Sequence, residues 1–372
     1  MISAVAALLV VLTQTTDFVA EGLKALDAKD YAAAVGYLSK AVEADPKDYA
    51  AQFNLALANS LLGKETEAIA GYRTVLELKP GLYQAQVNLG VLLLDQKQAS
   101  QAVPLLEAAV AQKPQEFRPN FYLAEALLAA GEFSGAEQYY VAAGKLDPKS
   151  AAVEAGLGRA RARQKKLEEA AVDFRKAAEL DPSYRNELLE LATLYEDNGQ
   201  FDKALELYSQ FPDNAGARER MAILFIKTGK PAEAAPLLEQ ILAKEPGNVG
   251  LRLTYGRVLR DLKKYQAAAV EFSRVVQAKP DLVEGWGELA GMLVLLENYP
   301  GALAALDRLK ALGAEAPGHL YLRAIILDKI RQLRPALENY EKFLAESQGK
   351  NPNEEFLARQ RVRIIKKELN ER

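Results

Sequence analysis

The chain has no cysteine and one histidine among its 372 residues. That excludes disulfides, thiol catalysis and cysteine-bound zinc, so a metal centre would have to be built from carboxylates alone. It also excludes a diacylated lipoprotein anchor, which needs a cysteine to modify. His319 has no second histidine to pair with and reads as a surface or packing residue. A charge excess is missing as well. The 47 basic and 50 acidic residues leave a net charge of -3, which gives no general attraction to nucleic acid or anionic lipid. No apolar run approaches the roughly 20 residues that cross a bilayer. What is abundant is apolar surface: 49% hydrophobic residues against 26% charged, the balance of a chain with a substantial core.

Residues 1–16 differ from the rest. Ile2 to Leu12 is apolar except for Ser3, and Thr13-Gln14-Thr15-Thr16 follows. The length matches the apolar region of a secretory signal, but no basic residue precedes it and no Ala-x-Ala-like site follows. Two readings stay open: an export signal, which puts the protein in the periplasm or cell envelope, or an N-terminal capping helix on a cytoplasmic protein.

From residue 17 onward the sequence repeats. Pro46, Pro80, Pro114, Pro148 and Pro182 stand 34 residues apart, as do Pro212, Pro246 and Pro280. Alanine keeps the same beat at Ala34, Ala68, Ala102, Ala136, Ala170, Ala204, Ala234, Ala268, Ala302 and Ala336. Each unit reads as two amphipathic helices and a tight turn. In residues 117–150, Asn120, Leu123, Ala124 and Leu127 make one helical stripe. Gly131 ends that helix, as glycine does where a left-handed residue is required. Glu132-Phe133 opens a second helix carrying Ala136, Tyr140 and Ala143, and Asp147-Pro148 closes it. Gly63, Gly199 and Gly229 share the turn position of Gly131. Such units bury their stripes only by stacking.

This pattern resembles the tetratricopeptide repeat, Trp-x2-Leu-Gly-x2-Tyr, then Ala-x3-Phe, then Pro. Residues 283–316 carry Trp286, Leu289, Ala290, Ala302 and Leu306. Residues 151–184 carry Leu157, Gly158, Ala170, Phe174, Ala177 and Pro182. Alanine or glycine stands at the close-packing position of every unit: Gly22, Ala56, Gly90, Ala124, Gly158, Ala192, Ala222, Gly256, Ala290 and Ala324. The resemblance implies an all-α, right-handed superhelical solenoid of about ten helix-turn-helix repeats, its concave groove lined by the first helix of each. Repeats 1–5 occupy residues 17–184 and repeats 7–10 occupy 215–350. Repeat 6, residues 185–214, is four residues short. A missing turn there predicts a bend. Residues 351–372 read as a C-terminal capping helix, with Phe356, Leu357, Ile364, Ile365 and Leu369 apolar. Its basic residues alternate with Glu354, Glu355, Glu368 and Glu371, as on a solvated face.

Nothing along the chain has the spacing of a catalytic site. Gly156-Leu157-Gly158 and Gly285-Trp286-Gly287 fall inside repeat helices with no strand before them. Gly63-Lys64-Glu65-Thr66 lacks the other parts of a P-loop. No cofactor, metal or enzymatic activity is expected.

Helical geometry places repeat positions 2, 6, 9 and 13 opposite the core stripe of each first helix. Position 6 is Asn54 in repeat 2 and Asn88 in repeat 3. An amide both donates and accepts, so it can grip a peptide main chain without reading its sequence. Equally, asparagine is common at this position. Arg118 and Tyr122 continue the face in repeat 4, then Arg159 and Arg163 in repeat 5. Arg220 and Lys227 follow in repeat 7, and Arg257, with Arg260 close by, in repeat 8. Guanidinium groups suit a ligand with acidic groups. Glu190, Asp197, Glu284 and Glu288 on neighbouring first helices could instead neutralise them. The expected function is a scaffold or adaptor that holds extended peptides or partner proteins in the groove, with no nucleic acid. The alternative is a structural subunit of a cell-envelope complex held through its convex surface and ends.

Overall fold

The computed structural model describes residues 17–370, so the apolar run of residues 2–12 lies outside the described residues. All regular structure among them is helical. The chain divides into two compact units, residues 1–200 and 201–372. The first begins with helices 17–27 and Tyr31–Ala44. The pairs Tyr49–Leu61/Glu65–Leu78, Tyr83–Asp95/Ala99–Gln112, Phe117–Ala130/Phe133–Leu146 and Ala151–Arg163/Leu167–Leu180 follow, and Glu187–Asp197 ends the unit. The second unit opens with Phe201–Ser209, nine residues where other second helices have thirteen to fifteen. It continues with Ala215–Lys227/Pro231–Lys244, Val249–Asp261/Tyr265–Ala278, Val283–Leu295/Tyr299–Ala311, Pro317–Lys329/Leu333–Ser347 and the single helix Pro352–Asn370. Within each unit consecutive helices pack on one another, so each is a stack of antiparallel pairs.

The stacking has a simple stereochemical basis. All ten repeat alanines of the second helices, Ala34 through Ala336, are fully buried. Paired helices pack closely, and the small residue of the first helix stands where no larger side chain fits. Where that residue is glycine, a large apolar side chain closes on it. An added Cβ would lie 2.6 Å from Leu38 at Gly22, 2.7 Å from Leu106 at Gly90, 2.7 Å from Phe174 at Gly158 and 2.5 Å from Phe272 at Gly256. Side-chain caps start many first helices: Asp48 accepts from the Ala50 and Ala51 amides, and Asn214 and Asn248 cap in the same way.

The turn between paired helices demands a left-handed residue in every repeat. Glycine supplies it at Gly63, Gly131, Gly199 and Gly229, with φ of 70 to 84°. Lys29, Lys97, Lys165, Lys263, Glu297 and Arg331 hold φ of 56 to 63° at the same position. A side chain there costs about 1–2 kcal/mol, against about 0.5–1 kcal/mol of extra unfolded-chain entropy for glycine. Lys263→Gly is therefore expected to stabilise the second unit by about 0.5–1 kcal/mol, read as a rise in its urea midpoint.

One recurring contact was not legible as periodicity. At five of the eight inter-repeat prolines the carbonyl faces the next first helix, whose fourth residue donates to it. Gln52 reaches Pro46 O at 3.3 Å, Asn120 reaches Pro114 O at 3.0 Å, Arg252 reaches Pro246 O at 2.7 Å, and Trp286 Nε1 reaches Pro280 O at 2.9 Å. Arg218 does the same at Pro212. Asn120, assigned to the apolar stripe by its spacing, is buried because it satisfies Pro114 O and Glu116 O together.

Candidate binding face of the first helices

In the first unit, the helices Tyr83–Asp95, Phe117–Ala130, Ala151–Arg163 and Glu187–Asp197 touch in succession, each first helix against the next. Second helices of successive repeats do not approach one another in this way. The first helices thus form a continuous wall on the inner side of this unit's stack. Its exposed and half-buried positions are those that carry the candidate residues.

Asn54 is half-buried beside Tyr49, Phe53 and Leu82, in a shallow notch of about 240 Å³. Asn88 is already engaged: its Nδ2 donates to the hydroxyl of the buried Tyr72 at 3.0 Å. Its carbonyl oxygen and second N–H make no hydrogen bond among the described residues. Arg118 is exposed and lies 5.8 Å over the ring of Tyr122, which adjoins an aromatic cluster of Phe117, Phe121 and Tyr140. Tyr140 donates its hydroxyl to Glu125 on the wall. Burial first, and then the Glu125 carboxylate, raise that hydroxyl far above the usual range for a phenol.

The wall changes character in repeat 5. Position 6 is Gly156, and an added Cβ would lie 2.3 Å from the Tyr140 ring, so Tyr140 leaves no room for a side chain like the asparagine or tyrosine of repeats 2 to 4. Beyond it, Leu128, Phe133, Arg159, Arg163, Phe174 and Glu190 line a cleft of about 760 Å³. Arg159 is half-buried, 3.8 Å from Glu187. Burial raises the Glu187 carboxyl against the pull of Arg159, and the nearby Glu190 adds to the rise. Arg163 is exposed and has no ion-pair partner among the described residues.

The basic candidates of the second unit are placed differently. Arg257 bonds Glu288 at 2.8 Å and also Glu284, and Arg260 bonds Glu288 at 2.7 Å and Asp261 at 3.1 Å. These two guanidiniums form a neutralised lattice with the acids of the next first helix. Lys227 stands 4.5 Å over the Phe201 ring, and Arg220 is exposed on the same helix as Lys227. The structure therefore brings Asn88, Arg118, Tyr122, Arg159 and Arg163 onto the wall of the first unit, with Asn54 on the adjoining first helix beside Leu82 and Gln84. The other four lie in the second, where Arg257 and Arg260 are held by Glu284, Glu288 and Asp261.

Behind the wall, repeat 5 carries a charged cluster that spacing did not reveal. Arg161 occupies the place of Leu93 and Leu127 in the preceding repeats. It bonds both oxygens of the buried Asp173 at 2.9 and 3.0 Å, and Glu137 at 3.0 Å. Burial lifts the Asp173 carboxyl to about 6 despite Arg161. Burial would raise Glu137 too, but donors from Lys166, Gln164 and Arg161 draw it down to about 2. An arginine among leucine positions was the available signal.

Among the described residues, no group of three or more His, Asp or Glu is placed to hold a metal ion, and no helix is long and apolar enough to cross a membrane. His319 Nδ1 accepts from the Ala316 amide at 3.1 Å, a local cap on its own helix.

Comparison with known proteins follows the same repeat. Models described as tetratricopeptide repeat match residues 19–83, 93–160, 155–184 and 225–281. The TPR repeat-containing protein YpiA of Bacillus subtilis (strain 168) is 27% identical over 256 residues, 64% of this chain and 57% of that protein. Protein O-mannosyl-transferase TMTC3 of Homo sapiens is 23% identical over 366 residues, 81% of this chain and 39% of that protein. The chain thus spans less than two thirds of the length of either. Among solved structures, MamA 41-end from Desulfovibrio magneticus RS-1 is 26% identical, with 46% of this chain and 96% of that one covered at a TM-score of 0.43. Repeat models that together match more than half of the sequence, on units built from one recurring helix pair, establish that the chain belongs to the tetratricopeptide-repeat family.

Proposed function

We propose that the protein is an interaction scaffold that holds an extended, acidic segment of a partner protein on the first-helix face of residues 49–197. The observation that carries this reading is the cleft beside Arg163. A guanidinium without an ion-pair partner stands at the edge of an apolar floor made by Leu128, Phe133 and Phe174. A carboxylate would gain a charge-assisted, two-pronged contact there, and a neighbouring apolar side chain would leave water. The free half of the Asn88 amide on the same wall, and Asn54 on the adjoining first helix, suit the main chain of the same segment. The transferase activity in the name of TMTC3 belongs to that protein, of which this chain spans the smaller part.

The reading is tested by selecting peptides from a displayed library on the full chain and measuring the winners by fluorescence anisotropy. Selected sequences are expected to be rich in Asp and Glu. Arg163→Glu is expected to weaken them by about tenfold or more, a change of about 1.4 kcal/mol, while Lys145→Glu on a second helix leaves binding unchanged. Loss of binding only with the second-helix change would move the partner to the outer surface, as in a structural subunit of an envelope complex. A steep fall in binding with salt, for nucleic acid in place of peptide, would overturn the protein-partner reading.

A further inference from the structure

In the second unit, positions 9 and 12 of one first helix face position 6 of the next. At repeats 8 and 9 these places hold Arg257, Arg260 and Glu288, and both guanidiniums bond the carboxylate across the seam. At repeats 9 and 10, Val294 at position 12 and Leu322 at position 6 pack on one core cluster with Ala290 and Ile326. One seam is closed by charge and the other by apolar contact, each with matching partners.

The seam between repeats 7 and 8 breaks the match. Positions 9 and 12 are Ile223 and Ile226, but position 6 of the next helix is Thr254. Its hydroxyl turns back to donate to Gly250 O at 3.1 Å, on its own helix. The isoleucines are left 48% and 37% exposed, whereas the apolar residues at position 9 elsewhere, Leu57, Val91 and Ile325, are half-buried. Between the two helices lies a notch of about 230 Å³, lined also by Leu238 and Leu251. About 150 Å³ is enough for a benzene ring, so the notch has room for one large apolar side chain. Glu219, one turn before Ile223 on the same helical stripe, lines it too. That carboxylate is exposed and has no ion-pair partner among the described residues.

We propose that this notch is a second docking site, which takes a leucine or phenylalanine flanked by lysine or arginine in a segment of a partner protein. The missing element is the apolar side chain that Leu322 supplies at the seam of repeats 9 and 10. Charge complementarity with Glu219 sets the residue beside it. Nearby cations do not cancel that preference: Arg257 is held by Glu284 and Glu288, and Lys227 lies over the Phe201 ring. Arg220, next in the chain, belongs to an adjacent face of the helix and has an interaction of its own. The site is independent of the cleft beside Arg163 and has the opposite charge preference.

The probe is a short Gly-Ser peptide with Lys-Phe-Lys at its centre, titrated into the full chain carrying labelled isoleucine methyl groups. The methyl resonances of Ile223 and Ile226 are expected to move together and saturate. Serine in place of the peptide's phenylalanine should abolish the movement. A Glu-Phe-Glu peptide should bind about threefold more weakly, the size of an exposed ion pair, and Glu219→Lys should reverse that order. Thr254→Leu supplies the missing side chain from within. It is expected to weaken the peptide by about tenfold or more and to raise the urea midpoint of the second unit, so lost binding is not mistaken for lost folding. Ile223→Ser, at an exposed position, should also weaken binding, with Ile226 as the reporter. Arg163→Glu should leave it unchanged. The proposal is overturned if neither methyl moves up to about 10 mM peptide, or if the two charged peptides bind equally. Binding indifferent to both Thr254→Leu and Ile223→Ser overturns it as well. Movement of the same methyls on concentrating the chain alone does so too, by assigning the notch to a second copy.

Discussion

Arg161→Met is expected to destabilise the first unit by about 3 kcal/mol or more, read as a fall in the urea midpoint of that unit. The arginine holds Asp173, 4% exposed, and Glu137 at bonding distance. Removing one partner of a buried pair leaves an uncompensated charge, which costs about 3–5 kcal/mol. Glu137 keeps Lys166 and Gln164, so most of the loss falls on Asp173. The sign with pH identifies the cause. Burial already raises Asp173 above its unfolded value near 3.9, and without Arg161 it rises further. The folded variant then binds the proton more tightly than the unfolded chain, so its deficit is full above the raised value and shrinks as the pH falls toward 4. Arg161→Leu combined with Asp173→Leu should recover much of the stability, since an apolar pair often replaces a buried ion pair at no net cost. A deficit independent of pH and not recovered by the double change would mean that Arg161 acts only through packing of its aliphatic stem.

Gly256→Ala sets two effects of opposite sign against each other. In a helix interior alanine is favoured over glycine by about 1 kcal/mol. At Gly256 the new Cβ would stand 2.5 Å from the ring of Phe272, which is fully buried and has nowhere to swing. Forcing apart a packed core costs about 1–3 kcal/mol, and a contact this short with a fully buried ring belongs at the upper end, so the net result is a loss of about 2 kcal/mol. Gly291→Ala in the same unit meets nothing within 4 Å and isolates the helix term: it should stabilise by about 0.5–1 kcal/mol. Thermal or urea unfolding of the two single variants decides the matter. Stabilisation by both would show that the Gly256 contact is loose, and destabilisation by both would show that helix propensity is not the competing term.

The sequence was read most surely where local chemistry and repetition agreed. The ten buried alanines, the glycine or alanine at the close contact and the proline at eight repeat ends were legible because each follows from a requirement met within one repeat. The turn was legible only in part. Gly131 announced a left-handed residue, whereas Lys97, Lys263 and Arg331 adopt the same conformation because packing on both sides enforces it. Helical angle placed Asn54 and Asn88 on the first-helix face, but could not show that Tyr72 claims one amide N–H of Asn88.

Charge was where the tertiary structure decided. Spacing presented Arg159, Arg163 and Arg257 at equivalent positions, with Arg260 close by. Distances of 2.7 and 2.8 Å to Glu288 separate the last two from Arg163, because an ion pair depends on which side chain of the next repeat reaches across. The same holds at the C-terminal helix. Phe356, Leu357, Ile364, Ile365 and Leu369 were apolar by composition, yet only packing against Leu333–Ser347 determines that Ile365 turns inward and Leu357 outward. The sequence by itself determined the repeat, the helix pair and the core positions, since these arise from periodicity and from residues a few turns apart. Which charges remain available and which apolar face remains open were settled only by the stacked structure, because both depend on what the neighbouring repeat does or does not supply.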